Sequence, residues 1–229
     1  MEKIVIAIDG FSSTGKSTIA KLLAKELGYI YVDTGAMYRA ITYYALQNNY
    51  ISETVSNQDA LIKDLGVIDI GFKFNSILGF AEVYLNGLNV EDAIRTLEVS
   101  RFVSRIAEIS EVRRKLVEQQ QLMGKYKGIV MDGRDIGTVV FPDAELKVFM
   151  TASAETRAKR RYKELLEKGH NLSYDDVLEN VVSRDHIDST REDSPLVKAS
   201  DAIAFDNSTL TIEEQLAAIR ELVEGKLNA

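Results

Sequence analysis

Five short apolar runs punctuate the chain, at residues 4–8, 29–32, 129–131, 146–150 and 202–205. Each carries apolar side chains at nearly every position, the pattern of a strand buried on both faces. Helical patterns separate them. The first runs over Lys16–Leu27 and halts at Gly28, a residue type that accepts the left-handed backbone just past a helix end. The last opens at Thr211, where Glu214 three residues on completes a capping box. Strands alternating with helices predict a doubly wound α/β core.

Residues 67–74 and 81–85 break this rhythm, because their apolar and polar positions alternate as on a half-buried strand. Asn86 and Gly87 both tolerate positive φ and together form a strong hairpin-turn signal. A small antiparallel sheet is therefore expected between the second and third core strands. Ser56, Asn57, Gln58 and Asp59 mark the start of a short helix leading into it. The only prolines are Pro142 and Pro195, and there are no repeats or Gly/Ser-rich linkers. Any lobe must be an insertion in one domain.

With 229 residues, 45% of them hydrophobic, the chain can bury one sizeable core with appended lobes. It has no cysteine, which removes disulfides, thiolate chemistry and thiolate metal sites and suits a cytoplasmic location. The first residues lack the parts of a signal peptide, and no apolar stretch approaches the roughly 18 residues of a membrane span. A net charge of −7 argues against partnership with a nucleic-acid polymer or an anionic membrane. A small anionic substrate remains compatible, provided arginines gather locally.

Gly10, Phe11, Ser12, Ser13, Thr14, Gly15, Lys16 and Ser17 fit G-x-x-x-x-G-K-[ST] between the first strand and the first helix, the context that this phosphate loop requires. The glycines let successive N–H groups face one anion, and the helix N-terminus adds its positive end. Lys16 is placed to reach the β- and γ-phosphates of ATP, and the Ser17 hydroxyl to ligate Mg²⁺. Two further strand ends carry chemistry: Asp33-Thr34-Gly35-Ala36-Met37-Tyr38-Arg39 and Asp132-Gly133-Arg134-Asp135. Ligands of open α/β sheets bind at the carboxyl ends of strands, so Arg39 and Arg134 read as phosphate-binding residues.

These motifs, with Ile94-Arg95-Thr96, Phe141-Pro142-Asp143-Ala144 and the segment from Arg184 to Arg191, resemble the bacterial cytidylate (CMP) kinase family from the first strand to the last helix. The resemblance implies a P-loop NTPase core with a five-stranded parallel sheet over 1–34, 111–152 and 192–229. It further implies a monophosphate-binding lobe over 35–110 that carries the antiparallel sheet, and a helical lid over 153–191. The implied reaction is ATP with CMP or dCMP giving ADP with CDP or dCDP; a monomer is expected.

Carried over residue by residue, ATP falls to residues 10–17 with Thr18 and Arg157, and the transferring phosphoryl group to Lys16, Arg160, Arg161 and Arg184. Thr34, Arg39 and Arg134 fall on the CMP phosphate side, and Tyr38 is a further CMP-binding residue. Ser104, Arg113 and Asp135 read cytosine, and Asp188 and Arg191 meet the ribose. Phe11 departs from the proline usual after the first P-loop glycine, and Thr34 replaces a serine of some relatives while keeping the hydroxyl.

The chemistry is consistent without the family. A phosphate monoester is largely a dianion at neutral pH, its second pKa being about 6, so the acceptor needs no general base. His170 and His186 fall at no strand end and read as exposed lid residues. The reaction needs charge cancellation and in-line positioning, which Mg²⁺ and arginine supply. Arg157, Arg160 and Arg161 share one helix face at i, i+3, i+4, and Arg184, Asp188 and Arg191 another at i, i+4, i+7.

Ser104 and Arg113 lie nine residues apart, which at about 100° per residue puts them on opposite faces of one straight helix. Both can serve one base only if the helix breaks, and a break is expected near residues 109–110 with Ser110 as the new N-cap. Three rivals stay open at this stage: a kinase for another nucleoside monophosphate, a GTPase-like switch, and a nucleotide-binding protein without catalysis. The switch would need an N-K-x-D motif, and no Asn-Lys pair occurs in the sequence.

Overall fold

The computed structural model describes residues 3–76, 80–167 and 169–228. The chain forms two compact units, 1–32 with 124–229, and 33–123. The first is built on a parallel sheet of β1 (Val5–Gly10), β2 (Ile30–Asp33), β6 (Ile129–Gly133), β7 (Leu146–Thr151) and β8 (Ile203–Asp206), in the order β2-β6-β1-β7-β8. These are the five apolar runs of the sequence. β1, β6 and β7 are buried almost throughout, as strands covered on both faces must be.

One sheet face packs Ile6, Ile8, Val130, Val148 and Met150 against Ile19 and Leu23 of α1 (Lys16–Leu27) and Ile219 and Val223 of α8 (Ile212–Leu227). Gly28 closes α1 in the left-handed conformation, its N–H donating to the carbonyls of Ala24 and Lys25. Thr211 and Glu214 cap α8 reciprocally. α6 (Ala154–Glu167) and α7 (Tyr174–Thr190) pair around a small core of their own, Ala158, Leu165, Val177 and Val181. Ser173 and Asp176 form a second capping box, at the start of α7.

The second unit opens with α2 (Thr34–Gln47), whose first turn is capped by the Asp33 carboxylate accepting from the Ala36 N–H at 2.9 Å. Asn57 caps the short α3 (Gln58–Asp64). Then comes the antiparallel sheet of β3 (Ile70–Asn75), β4 (Phe80–Leu85) and β5 (Leu88–Asn89). Asn86 (φ 49°) and Gly87 (φ 82°) make the expected turn. β3 starts later than the alternation suggests, because residues 65–67 continue α3 as a 3₁₀ turn that takes up Val67.

α4 (Leu97–Ile106) and α5 (Ser110–Met123) complete the unit and are separated by the expected break. Ser110 is not its cap. The Ile109 carbonyl already accepts the Arg113 N–H at 3.0 Å, so Ile109 occupies the capping position and Ser110 is the first helical residue.

Candidate active site

The first unit gathers its chemistry at the carboxyl ends of its strands. β1 ends in Gly10, where a Cβ would lie 2.1 Å from the Met150 carbonyl oxygen, so only glycine lets the loop leave the sheet here. The loop over Phe11, Ser12, Ser13 and Thr14 then turns into α1 through Gly15. Lys16 is buried and donates from Nζ to the Phe11 carbonyl at 2.6 Å and to Thr14 Oγ1 at 3.3 Å. The Ser12 hydroxyl is buried without a hydrogen-bond partner. Thr18 is exposed on the first turn of α1.

Ser17 Oγ donates to one carboxylate oxygen of Asp132 at 3.0 Å, and Tyr31 Oη donates to the other at 2.8 Å. Asp132 is a functional candidate that the residue-by-residue reading left without a role. Its position, an acid one residue before the end of the strand beside the P-loop strand, was the available signal. The donors here are a hydroxyl and one carboxylate, hard oxygens suited to Mg²⁺, which binds through one or two carboxylates plus substrate phosphates. Among the described residues no group of three or more His, Cys, Asp or Glu side chains forms a denser metal cage.

α6 reaches the same loop. Arg157, buried, donates to the Asp185 carboxylate at 2.9 and 2.5 Å, to the Ser12 carbonyl at 3.2 Å and to the Ala152 carbonyl at 2.9 Å. Its guanidinium carbon lies 5.1 Å from the Phe11 ring centroid, and Phe11 meets Phe149 edge-to-face at 6.2 Å. Phe11 thus fills the proline position of the resemblance with an aromatic platform for Arg157. Arg160 donates to the Thr14 carbonyl at 3.4 Å and to both Oδ1 and the backbone carbonyl of Asn207, at 3.1 and 2.8 Å. Asn207, fully buried just past β8, donates to the Thr14 carbonyl at 2.6 Å and to Gln215 Oε1 at 2.8 Å. It was missed as well, although a polar residue directly after a strand end was the clue. Arg161 pairs with Glu164 on its own helix at 2.9 Å.

A second cluster forms around Asp188. Arg134 Nε donates to its carboxylate at 2.8 Å. Burial would raise the Asp188 carboxyl, but Arg134 and Arg184 outweigh it and hold it below the ordinary carboxylate range. Arg191 lies just past the end of α7 with extended backbone (ψ 144°), so the helical face foreseen for it stops at Asp188. Its guanidinium is instead held by the Ser194 carbonyl at 2.6 and 2.8 Å, 4.0 Å from Asp135.

Lys16, Arg134 and Arg184 lie near one another, among the carboxylates of Asp9, Asp132, Asp185 and Asp188. Burial and the nearby Arg134 pull Lys16 down to about 7, with Arg184 adding to the repulsion against Asp132 and Asp9. Burial also lowers Arg184, to about 10, with Arg134 and Arg161 contributing against Asp188. Arg134 shifts the other way, since burial lowers it but Asp188, its hydrogen-bond partner, and Asp132 outweigh that and raise it.

The second unit holds the other candidates. Thr34 and Tyr38 are buried on α2, and Arg39 is half-buried, Nη1 donating to the Ile94 carbonyl at 3.5 Å. Arg95 bridges Asp33 at 2.9 Å and Glu91 at 2.8 Å. Burial would raise Asp33, but Arg95 and Arg39 outweigh it and hold its carboxyl low. Ser104 on α4 and Arg113 on α5 are both buried. The Arg113 guanidinium lies 5.5 Å from the Tyr38 ring centroid and donates to the Ala107 carbonyl, within the helix break, at 3.2 Å.

A parallel sheet with a phosphate loop at its carboxyl edge and buried arginine–carboxylate pairs beside it defines a P-loop nucleotide-binding fold. The comparisons sharpen this. The cytidylate kinase family model matches residues 6–225, and the chain belongs to that family. The cytidylate kinase of Flavobacterium johnsoniae is 70% identical over 223 residues, covering 97% of both chains. That of Flavobacterium psychrophilum is 67% identical, covering 98% of this chain and all of the relative. In fold alone, the chain is similar to the crystal structure of an uncharacterized protein from Eubacterium ventriosum, with a TM-score of 0.50 at 11% identity, covering 98% and 99% of the two chains. The protein is thus an enzyme of the nucleoside monophosphate kinase class, a transferase acting on nucleotides. No helix among its described residues is long and apolar enough to cross a membrane.

Proposed function

We propose that the enzyme transfers the γ-phosphoryl group of ATP to CMP or dCMP in a Mg²⁺-dependent reaction. The observation that supports this reading is the phosphate loop at residues 10–17, whose buried Lys16 and Ser17–Asp132 pair meet at the carboxyl ends of β1 and β6. In-line transfer forms a bond from a CMP phosphate oxygen to the γ-phosphorus and breaks its bond to the β–γ bridging oxygen, releasing ADP. The acceptor is already ionised, so the protein's work is positioning and charge stabilisation. No side chain has to remove a proton.

In this reading residues 10–18 hold the ATP phosphates, with Arg157 acting through the loop it grips, and Lys16, Arg160, Arg161 and Arg184 stabilise the transferring group. Ser17 and Asp132 hold Mg²⁺, which when bound neutralises phosphate charge. Thr34, Arg39 and Arg134 serve the CMP phosphate side, Tyr38 also binds CMP, and Asp188 and Arg191 serve the ribose. Asp135 accepts from the cytosine amino group, with Arg113 and Ser104 serving the ring acceptors. α6 and α7 act as a lid, since they share a core of their own.

The test is ADP release from ATP with CMP, dCMP, UMP, AMP and GMP in turn. CMP and dCMP should be turned over, and UMP should fall behind in kcat/KM by roughly tenfold or more, since leaving a buried polar group unpaired costs about 1–3 kcal/mol. Equal turnover of CMP and UMP, or preference for a purine nucleotide, would overturn the assignment.

A further inference from the structure

Asp9 stands on β1 directly before Gly10, the first residue of the phosphate loop, and has no role in the reading above. Its side chain is buried, and its two oxygens divide two donors between them. Oδ1 accepts the Ile136 N–H at 2.8 Å and Oδ2 the Gly137 N–H at 2.7 Å. These amides open a five-residue π-helical turn, Ile136–Val140, and the residue before it is Asp135.

The Asp135 carbonyl in turn accepts the N–H groups of Val139 at 2.9 Å and Val140 at 3.2 Å. The peptide joining residues 135 and 136 is therefore clamped at both ends, its N–H by Asp9 and its carbonyl by the turn. That clamp sets the ψ of Asp135, 25° with φ −142°, and so the direction in which its carboxylate leaves the backbone. π-Turns are rare and tend to occur at functional sites, and this one closes onto a carboxylate supplied by another strand.

The fit is close. A Cβ on Gly137 would lie 3.3 Å from Asp9 Oδ2 and 3.1 Å from Lys147 Cδ. Lys147 cannot easily yield, since its Nζ donates to the Pro142 carbonyl and to the Asp201 carboxylate. Burial pushes the Asp9 carboxyl up to about 6, against the pull of the two amides. An anion kept in a place that disfavours it suggests a service to the site rather than to stability.

We propose that Asp9 is a positioning residue for Asp135 and thereby sets the enzyme's discrimination between cytosine and uracil nucleotides. This rests on the reading of Asp135 as the base-selecting carboxylate. A carboxylate is required because two donors converge on it. An amide can accept only one of them and must turn its NH₂ toward the other.

The experiment compares kcat/KM for CMP and UMP in wild type, Asp9→Asn, Asp135→Ala and the double variant, with ATP affinity measured separately by titration. Asp9→Asn should lower the CMP-to-UMP ratio by about tenfold, toward that of Asp135→Ala, while ATP affinity changes less than about threefold. The double variant should show no lower ratio than Asp135→Ala alone, as expected of residues acting as one unit.

A folded Asp9→Asn protein with the wild-type ratio would overturn the proposal. So would equal losses for CMP and UMP together with weakened ATP binding, which would assign Asp9 to the phosphate loop. If Asp135→Ala leaves the ratio unchanged, the base-reading assignment itself fails, whatever Asp9→Asn does. Should Asp9→Asn not fold, Gly137→Ala displaces the same turn from the other side and must lower the same ratio, or the proposal falls.

Discussion

Tyr31 shows how much a single hydroxyl can govern. It donates to Asp132 Oδ1 while Ser17 donates to Oδ2, so the carboxylate proposed to share Mg²⁺ is fixed from both sides. Partners that orient a metal-binding group commonly change metal affinity or activity by 10–100-fold when removed. Tyr31→Phe keeps the ring and deletes only the donor. The free Mg²⁺ needed for half-maximal activity should rise by roughly tenfold, with KM for CMP nearly unchanged. A variant whose Mg²⁺ dependence matches wild type would show that Asp132 is held well enough without Tyr31.

At the scale of elements, the pair to test is Arg157 with Asp185, which joins α6 to α7 and to the phosphate loop. Arg157 is almost fully buried and Asp185 largely so, their side chains 4% and 18% exposed. Removing one partner of such a pair leaves a buried charge without compensation and typically costs about 3–5 kcal/mol. Asp185→Ala should therefore lower the melting temperature by roughly 6–20 °C in a chain of this size. Glu164→Ala, which breaks the half-buried i, i+3 pair with Arg161, should move it less, by about 4 °C or less. Equal small shifts in thermal melts would mean that Arg157 is held sufficiently by backbone carbonyls and Phe11.

The same elements show what can be read from sequence. The five core strands, the hairpin at Asn86-Gly87, the end of α1 at Gly28 and the box at Thr211 are encoded within a few residues, and they fold as expected. The break between Ile106 and Ser110 was legible because Ser104 and Arg113 could not otherwise both turn inward. Which residue caps it was not, since Ile109 reaches that position through the path of the chain rather than through a capping side chain. The Asp185 partner of Arg157 stands 28 residues away, and the π-turn at Ile136 depends on a carboxylate 127 residues away. Neither pairing leaves a trace in local spacing, so the site was legible as strand-end motifs but not as contacts.

For the molecule as a whole, the acid side of the stability curve holds two opposed contributions. Asp33 and Asp188 titrate below the ordinary carboxylate range in the folded protein, so the stability they add is lost as pH falls through their folded pKa values. Asp9 works the other way. Its folded value of about 6 lies above the ordinary 3.8, so between these values the folded state binds the proton that the unfolded state has released. Stability must then fall as pH rises through this window and level off above it, by roughly 3 kcal/mol for this one group. The net acid response of the chain mixes all of these, but a comparison of two proteins isolates Asp9. Asp9→Asn deletes its titration and leaves every other carboxylate in place. From urea unfolding at pH 4 and pH 7, the stability of wild type minus that of Asp9→Asn should be roughly 2 kcal/mol lower at pH 7 than at pH 4, whatever the fixed cost of the lost hydrogen bond. A difference that stays constant across this range would mean that the two amide donors hold Asp9 near its ordinary pKa, and that the carboxylate sits beneath the Asp135 turn at no cost to the fold.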